Sequence, residues 1–458
     1  MKKALIAIAE RMILGDIPML RENPLETFLA SCEARPVTRF RIAGQATYLI
    51  SDPELVKHVL VENQSNYDKR TRSWKNITLV IGENIITSSG EYWKVHRKIA
   101  AQAFQREQIN VVSPHFLTVT RERAQGWIQG NAGSSVIDVG QEMLYCFLLS
   151  ASRSMFGADI NDEEFEMLAI NLPRLAQLLS QRNRSIVLPL WAPTKSNREL
   201  KSCLKPIENV VKKIIKQKQE KLSKSKPGEA PDKDLLTLLM LACDEETGQK
   251  MTYSELLDEV LGFFFAGQDA TTAALTWFWI LLNRYPQEIA AIRCEIAREI
   301  GSRLPEFNDL SGLSRLNQVM HETLRLYPPA WLFERRSLGD DRLHDQHIKK
   351  GDLIYICPYG MHRSSKLWTE PDKFLPSRFE GNWKAKTNRF AFMPFGAGPR
   401  TCLGLSFAMV EMQLLMAYLI PRFNVKITDL DAIKPSPSVL LRPDQPVKMQ
   451  IERTSVPL

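Results

Sequence analysis

The sequence predicts a mainly α fold with a minor β component, carried by one large domain over residues 1–458. Three observations predict it. Helical patterns dominate the middle of the chain and recur near its end, strand-like alternation is confined to short pieces towards either end, and no regular βαβ alternation appears, which excludes a doubly wound sheet. Length alone, at about 150 residues per domain, would suggest roughly three domains. With no linker, repeat or low-complexity tract in 458 residues, the single-domain reading is preferred. A chain of this length, 44% apolar, buries enough core to enclose a large cofactor.

Taken in order, residues 1–20 read as a short amphipathic helix. Two lysines precede an apolar run that Glu10 and Arg11 interrupt, far short of the roughly 20 apolar residues of a membrane span, and no small-residue cleavage site follows. At most a weak peripheral membrane contact is expected. Arg39 to Ile50 alternates like two strands around a glycine turn, and Asp52-Pro53 opens a helix. From Pro114 to about Lys224 the pattern is helical, broken at Gly157, Pro189 and Pro193. The Pro- and Gly-rich stretch from Lys224 to Asp234 reads as a surface connection. Val260 to Leu282 is the most apolar segment, but Gln268 and Asp269 sit mid-run, so it is expected to be a helix through the protein centre that ends before Pro286. Further helices are expected over Leu313 to Leu326 and Leu405 to Leu419.

The formal charge is +8. No dense basic block with interleaved aromatics accompanies it, so nucleic acid is not an expected partner. The densest run, Lys212 to Lys226, reads as a solvated helix face running into a loop. Cysteines stand at 32, 146, 203, 243, 294, 357 and 402, an odd number with no CxxC pair, which points to a reducing, cytoplasmic setting with most thiols buried as small hydrophobes.

Cys402 differs from the rest. The segment Phe395-Gly-Ala-Gly-Pro-Arg-Thr-Cys-Leu-Gly404 is a glycine-rich loop that presents one thiol and runs directly into an apolar helix. Gly396, Gly398 and Gly404 allow unusual backbone and close approach to a flat ligand. Nearby amides and the helix start favour a negative sulfur, and Arg400 can pair with an anionic group beside it. At Phe395, Gly398, Arg400, Cys402 and Gly404 the segment resembles the haem-binding loop FxxGxRxCxG of the cytochrome P450 family. The fold implied is that family's, with haem between a long central helix and the cysteine loop. Cys402 would ligate the iron of haem b, and thiolate ligation favours cleavage of the O–O bond.

Other segments match the family in chain order, so the resemblance runs from about Pro53 to Pro443. Glu322-Thr-Leu-Arg325 looks like its ExxR pair, and Arg378 in Pro376-Ser-Arg-Phe379 like the arginine that joins the pair to support the fold. Trp93 and Arg97 resemble the WxxxR residues that donate to a haem propionate; at i and i+4 they share a helix face. Arg335 resembles a further propionate-binding arginine, with Arg336 as competitor. His96 is expected to be exposed. His362 and Arg363 match a family pattern without an assigned role. Leu188 to Pro193 and Asp244 to Gly248 resemble bacterial members, and no reductase domain is seen fused to the chain.

The central helix carries Ala266-Gly267-Gln268-Asp269-Ala270-Thr271-Thr272, where the family pattern is A-G-x-(D/E)-T-T. The threonine that helps deliver protons during oxygen activation is here Ala270. Thr271 follows one residue later, rotated by about 100° around the helix. It could act only if the helix bulges near Gly267; otherwise its hydroxyl bonds back to a carbonyl one turn earlier. Asp269 is a candidate proton gate, with a structural salt bridge as the plainer alternative. Thr271, a water or a substrate hydroxyl would replace the missing group.

The resemblance implies a mono-oxygenase acting on a hydrophobic small molecule, with O2 as co-substrate and electrons from a ferredoxin or flavodoxin-type donor and its reductase. Its pocket would draw on Ile85 to Thr87, Phe263 to Gly267, Ala330 to Phe333 and Ser438 to Leu440. Rearrangement, coupling or peroxide-driven chemistry is the alternative, and a non-enzymatic haem sensor a remoter one.

Overall fold

The computed structural model describes residues 16–42, 44–128, 134–183, 188–224, 234–242, 248 and 250–455. The expected helix over 1–20 is described only from residue 16, with Ile17–Glu22 helical. Cys243, most of the 224–234 connection and of Asp244 to Gly248, lie outside the described residues. The chain divides into two compact units, one of residues 1–74 and 321–402, the other of 75–320 and 403–458.

The first unit is built on a five-stranded sheet. Its Val37–Ile42 and Gln45–Ile50 strands pair antiparallel as the expected hairpin. Gln45–Ile50 then pairs parallel with Leu353–Ile356, which pairs antiparallel with Phe333–Ser337, and Tyr67–Asp68 closes the edge. Asp52 caps the Pro53–Lys57 helix by accepting from the amides of Glu54 and Leu55. That helix continues as a π-turn over His58–Glu62.

The second unit holds the long helices. Tyr253–Arg284 begins with a capping box between Thr252 and Glu255. Every residue from Ala273 to Leu282 is buried, so the apolar run is a core helix. No helix among the described residues is long and apolar enough to cross a membrane. The neighbouring Val139–Phe156 helix ends at Gly157, whose φ of +57° supplies the left-handed cap.

The structure corrects three readings. Pro114 lies inside the Arg106–Gln125 helix, which starts a turn and more before it. Ser134–Asp138 is a strand, although the sequence reads as helical there; it pairs with Lys448–Arg453, which pairs in turn with Phe423–Ile427. The last long helix runs over Leu405–Arg422, past Pro421. Of the described cysteines, 32, 146, 203 and 357 are buried, whereas Cys294 and Cys402 are exposed.

Candidate active site

In the first unit, the cysteine loop is shaped by its glycines. Gly396 and Gly398 have φ of +75° and +72°. A Cβ on Gly398 would lie 2.2 Å from the Leu60 carbonyl oxygen, so only glycine fits there. The Cys402 amide donates to Phe395 O at 2.8 Å, and the Thr401 amide and hydroxyl both donate to Gly398 O. These bonds close the loop with Cys402 exposed at its end. Phe395, Gly396 and Arg400 are half-buried along it.

In the same unit, Glu322 and Arg325 are both fully buried. The carboxylate takes both donors of one guanidinium edge, at 2.6 Å from Nε and 2.8 Å from Nη2. Arg325 also donates to the carbonyls of His362, Pro371 and Lys373. The structure brings Arg378 to the pair, 3.4 Å from Glu322, and the Leu375 amide donates to the same carboxylate. His362 has a visible role here. Its Nδ1 donates to Arg325 O at 3.1 Å and its Nε2 accepts the Met393 amide at 3.0 Å. Burial pushes its pKa down to about 3, so it stays neutral. Arg363 lies 3.9 Å over the Tyr359 ring.

Arg335 and Arg336 separate clearly. Arg336 is exposed. The Arg335 guanidinium donates to the Glu334 carbonyl, and burial pushes its pKa down to about 10 against the opposing charges of Asp68 and Glu334. A partly desolvated cation of this kind suits a further carboxylate ligand.

In the second unit, Trp93 and Arg97 lie half-buried on the Gly90–Ala101 helix, with the guanidinium 5.6 Å from the indole centroid. Between them, His96 overturns the expected exposure. It is buried, with Nδ1 2.6 Å from Glu259 of the central helix, and Tyr92 stacks on its ring at 3.8 Å. Glu259 is buried too and accepts the Ile85 amide on both oxygens. A buried carboxylate needs such donors, and the pair ties the WxxxR helix to the central one.

The central helix is continuous α-helix over its whole length, with no bulge at Gly267. Gly267 is required because a Cβ there would meet the Phe147 ring at 2.7 Å. Phe263, Ala266, Gly267 and Ala270, at i, i+3, i+4 and i+7, form the mid-helix stripe that is left partly uncovered. That small, apolar face suits a flat ligand. Thr271 is buried; the hydroxyls seen to bond back one turn are those of Thr272, to Gln268 O, and Thr276, to Thr272 O. Asp269 is buried and contacts Arg442 of the Leu441–Pro443 strand. Burial pushes its carboxyl above the ordinary range and the Arg442 charge opposes the rise. The Gly404 backbone caps the Leu405–Arg422 helix.

In the first unit, an exposed cysteine at the end of a glycine-shaped loop suits the thiolate ligand of a haem; in the second, the small-residue face of the central helix suits a flat ligand. These features point to the haem-thiolate class of protein. Comparison with known proteins makes this specific. Residues 10–451 match the sequence profile described as Cytochrome P450. A cytokinin hydroxylase of Arabidopsis thaliana is 31% identical over 409 residues, 88% of this chain and 78% of that protein. Cyclooctatin synthase of Streptomyces melanosporofaciens is 29% identical over 431 residues, 94% of this chain and 91% of that protein. The crystal structure of the cytochrome P450DA haem domain matches with TM-score 0.82 over 94% of each chain, at 21% identity, a likeness of fold. The chain belongs to the cytochrome P450 family, the mono-oxygenases that use haem and O2.

Proposed function

We propose that the whole chain works as one bacterial-type catalytic domain that oxidises a hydrophobic small molecule, drawing electrons from a separate ferredoxin or flavodoxin-type donor and its reductase. The observation that carries this reading is Cys402, exposed at the end of a loop that only glycine at 398 permits. Bound haem b with a thiolate ligand supplies the capacity to cleave O–O bonds. Cys402 would hold its iron. Arg335, Arg400, Trp93 and Arg97 would hold its propionates, and Phe395, Gly396, Gly404, Ala266 and Gly267 would lie against it.

Asp269 would supply protons. Ala270 offers no hydroxyl beside it and Thr271 is buried in an unbroken helix, so a water or a polar group of the substrate completes the path in this reading. An Ala270→Thr variant is expected to send a larger share of electrons to product, measured as less peroxide released per electron pair. Unchanged coupling and turnover would count against the idea. The same Ala270 favours one second reading, a peroxide-driven reaction; turnover with added peroxide and no reductase would select it. The relatives named above act in their names on different compounds, so they support the reaction class and leave the substrate to its chemistry. That no disulfide joins the described cysteines supports a cytoplasmic setting.

The test is the carbon monoxide difference spectrum of the dithionite-reduced protein. A strongly red-shifted Soret band, lost in Cys402→Ala, is expected. A band typical of a neutral axial ligand in the unaltered protein would overturn the proposal.

A further inference from the structure

Two arginine–carboxylate pairs of this molecule, Arg325–Glu322 and Arg442–Asp269, differ in a way that points to a ligand. In Arg325, the edge formed by Nε and Nη2 is fully used, because Glu322 accepts from both nitrogens. In Arg442, Nη2 reaches Asp269 Oδ2 while the Nε–H is buried with no hydrogen-bond partner. A buried donor left without an acceptor is costly, because it has given up its hydrogen bond to water and gained none in return. The same edge that Glu322 satisfies in one pair is therefore half-used in the other. Arg442 is also the more accessible partner, its side chain 27% exposed against 10% for Asp269. It stands on the Leu441–Pro443 strand, directly after the Ser438–Leu440 turn, which Ser438 fixes by donating to Leu440 O.

An incoming carboxylate that accepts from Nε and Nη2 together makes the better match to this edge, since paired N–H···O bonds are stronger and more directional than one. It would compete directly with Asp269, whose contact uses Nη2 alone. Arg442 is the one charged group that acts on Asp269 among the described residues. Once Arg442 is drawn away, nothing but burial acts on the Asp269 carboxylate, and burial favours the neutral acid. The balance is simple: the aspartate carboxylate takes one proton from solvent and becomes a carboxylic acid, with no change of oxidation state.

We propose that Arg442 is a specificity residue that binds the carboxylate of an apolar acid on its Nε and Nη2 edge, and that this exchange releases Asp269 to take up a proton. Substrate arrival then loads the acid that stands where the helix lacks a neighbouring hydroxyl. The inference rests on the haem-thiolate reading, because it places the pair beside the reacting substrate.

The experiment uses the haem-loaded enzyme and three acids of different skeleton, dodecanoic, hexadecanoic and abietic acid, each with its methyl ester. Binding is followed by the spin-state shift of the Soret band and, independently, by calorimetry. At least one acid is expected to bind about tenfold or more tightly than its ester, as befits a charged hydrogen-bonded contact. Arg442→Gln should abolish that preference while leaving ester affinity unchanged, and Arg442→Lys, which keeps the charge but not the edge, should keep only part of it. Asp269→Asn should tighten acid binding. In weakly buffered solution the unaltered enzyme should take up a proton per acid bound, and Asp269→Asn should not. No acid preferred over its ester, a preference that survives Arg442→Gln, or acid binding without the Asp269-dependent proton overturns the proposal. Failure of the unaltered enzyme to give the thiolate-type carbon monoxide band instead overturns the haem-thiolate reading itself.

Discussion

His362 illustrates how one neutral side chain can hold a buried network in register. Its two nitrogens meet one acceptor and one donor, Arg325 O and the Met393 amide, so the neutral tautomer protonated on Nδ1 is the only form that satisfies both. Protonation would set an Nε2–H against an amide N–H. With a folded-state pKa of about 3 against an ordinary 6.5, the unfolded chain gains a proton as pH falls below 6.5 while the native state does not. Stability is therefore fully present above 6.5 and declines towards about 3, by up to about 1.4 kcal/mol per pH unit. Urea midpoints measured down this window should fall less steeply for His362→Gln; an identical slope would show that His362 titrates normally in the fold. The loop glycines give a second test at this scale. A Cβ on Gly398 overlaps the Leu60 carbonyl, whereas one on Gly396 meets nothing nearer than the Phe333 ring at 3.8 Å. Gly396→Ala carries only the left-handed backbone strain of roughly 1–2 kcal/mol. Gly398→Ala adds a main-chain clash, so it should lose haem on gel filtration while Gly396→Ala retains most of it. Equal retention would show that the loop shifts freely.

At the scale of elements, buried ion pairs join pieces that the backbone alone leaves separate. Glu322 binds Arg325 within one helix and also accepts the Leu375 amide, while Arg325 reaches three carbonyls of the 362–373 segment. Removing one partner strands the other as a buried charge, at a cost of about 3–5 kcal/mol. Glu322→Ala should thus lower the urea midpoint sharply and expose the 362–373 amides to hydrogen exchange; protection unchanged from the unaltered protein would deny the network its role. This pair was legible in the sequence through its resemblance to the family's ExxR pattern, the i, i+3 spacing adding only that both side chains share one helix face. The His96–Glu259 and Asp269–Arg442 pairs were not, since their members stand 163 and 173 residues apart and nothing local marks them. Hence His96 read as exposed, and Asp269 as a candidate proton gate with a structural salt bridge of unnamed partner as its alternative. The Ser134–Asp138 strand escaped for the same reason, its partner Lys448–Arg453 lying at the far end of the chain.

For the whole molecule, the helical class, the core helix and the cysteine loop were readable because each rests on short-range pattern: apolar periodicity, run length and glycine spacing. Net charge is a further global property read directly from composition, and it bears on electron supply. A formal charge of +8 with a sequence pI near 9.0 gives the protein a positive field that draws acidic partners and raises their encounter rate. Salt shortens the reach of that field to about 8 Å at physiological ionic strength and further above it. Reduction by an acidic ferredoxin with its reductase should therefore slow by roughly tenfold between about 0.05 M and about 0.5 M salt, while reduction by an uncharged small reductant changes little. The comparison separates two effects of salt. A parallel slowing with both donors would mean that salt acts on the haem site or the fold, and a flat response to the ferredoxin would mean that electron entry does not use the net positive charge at all.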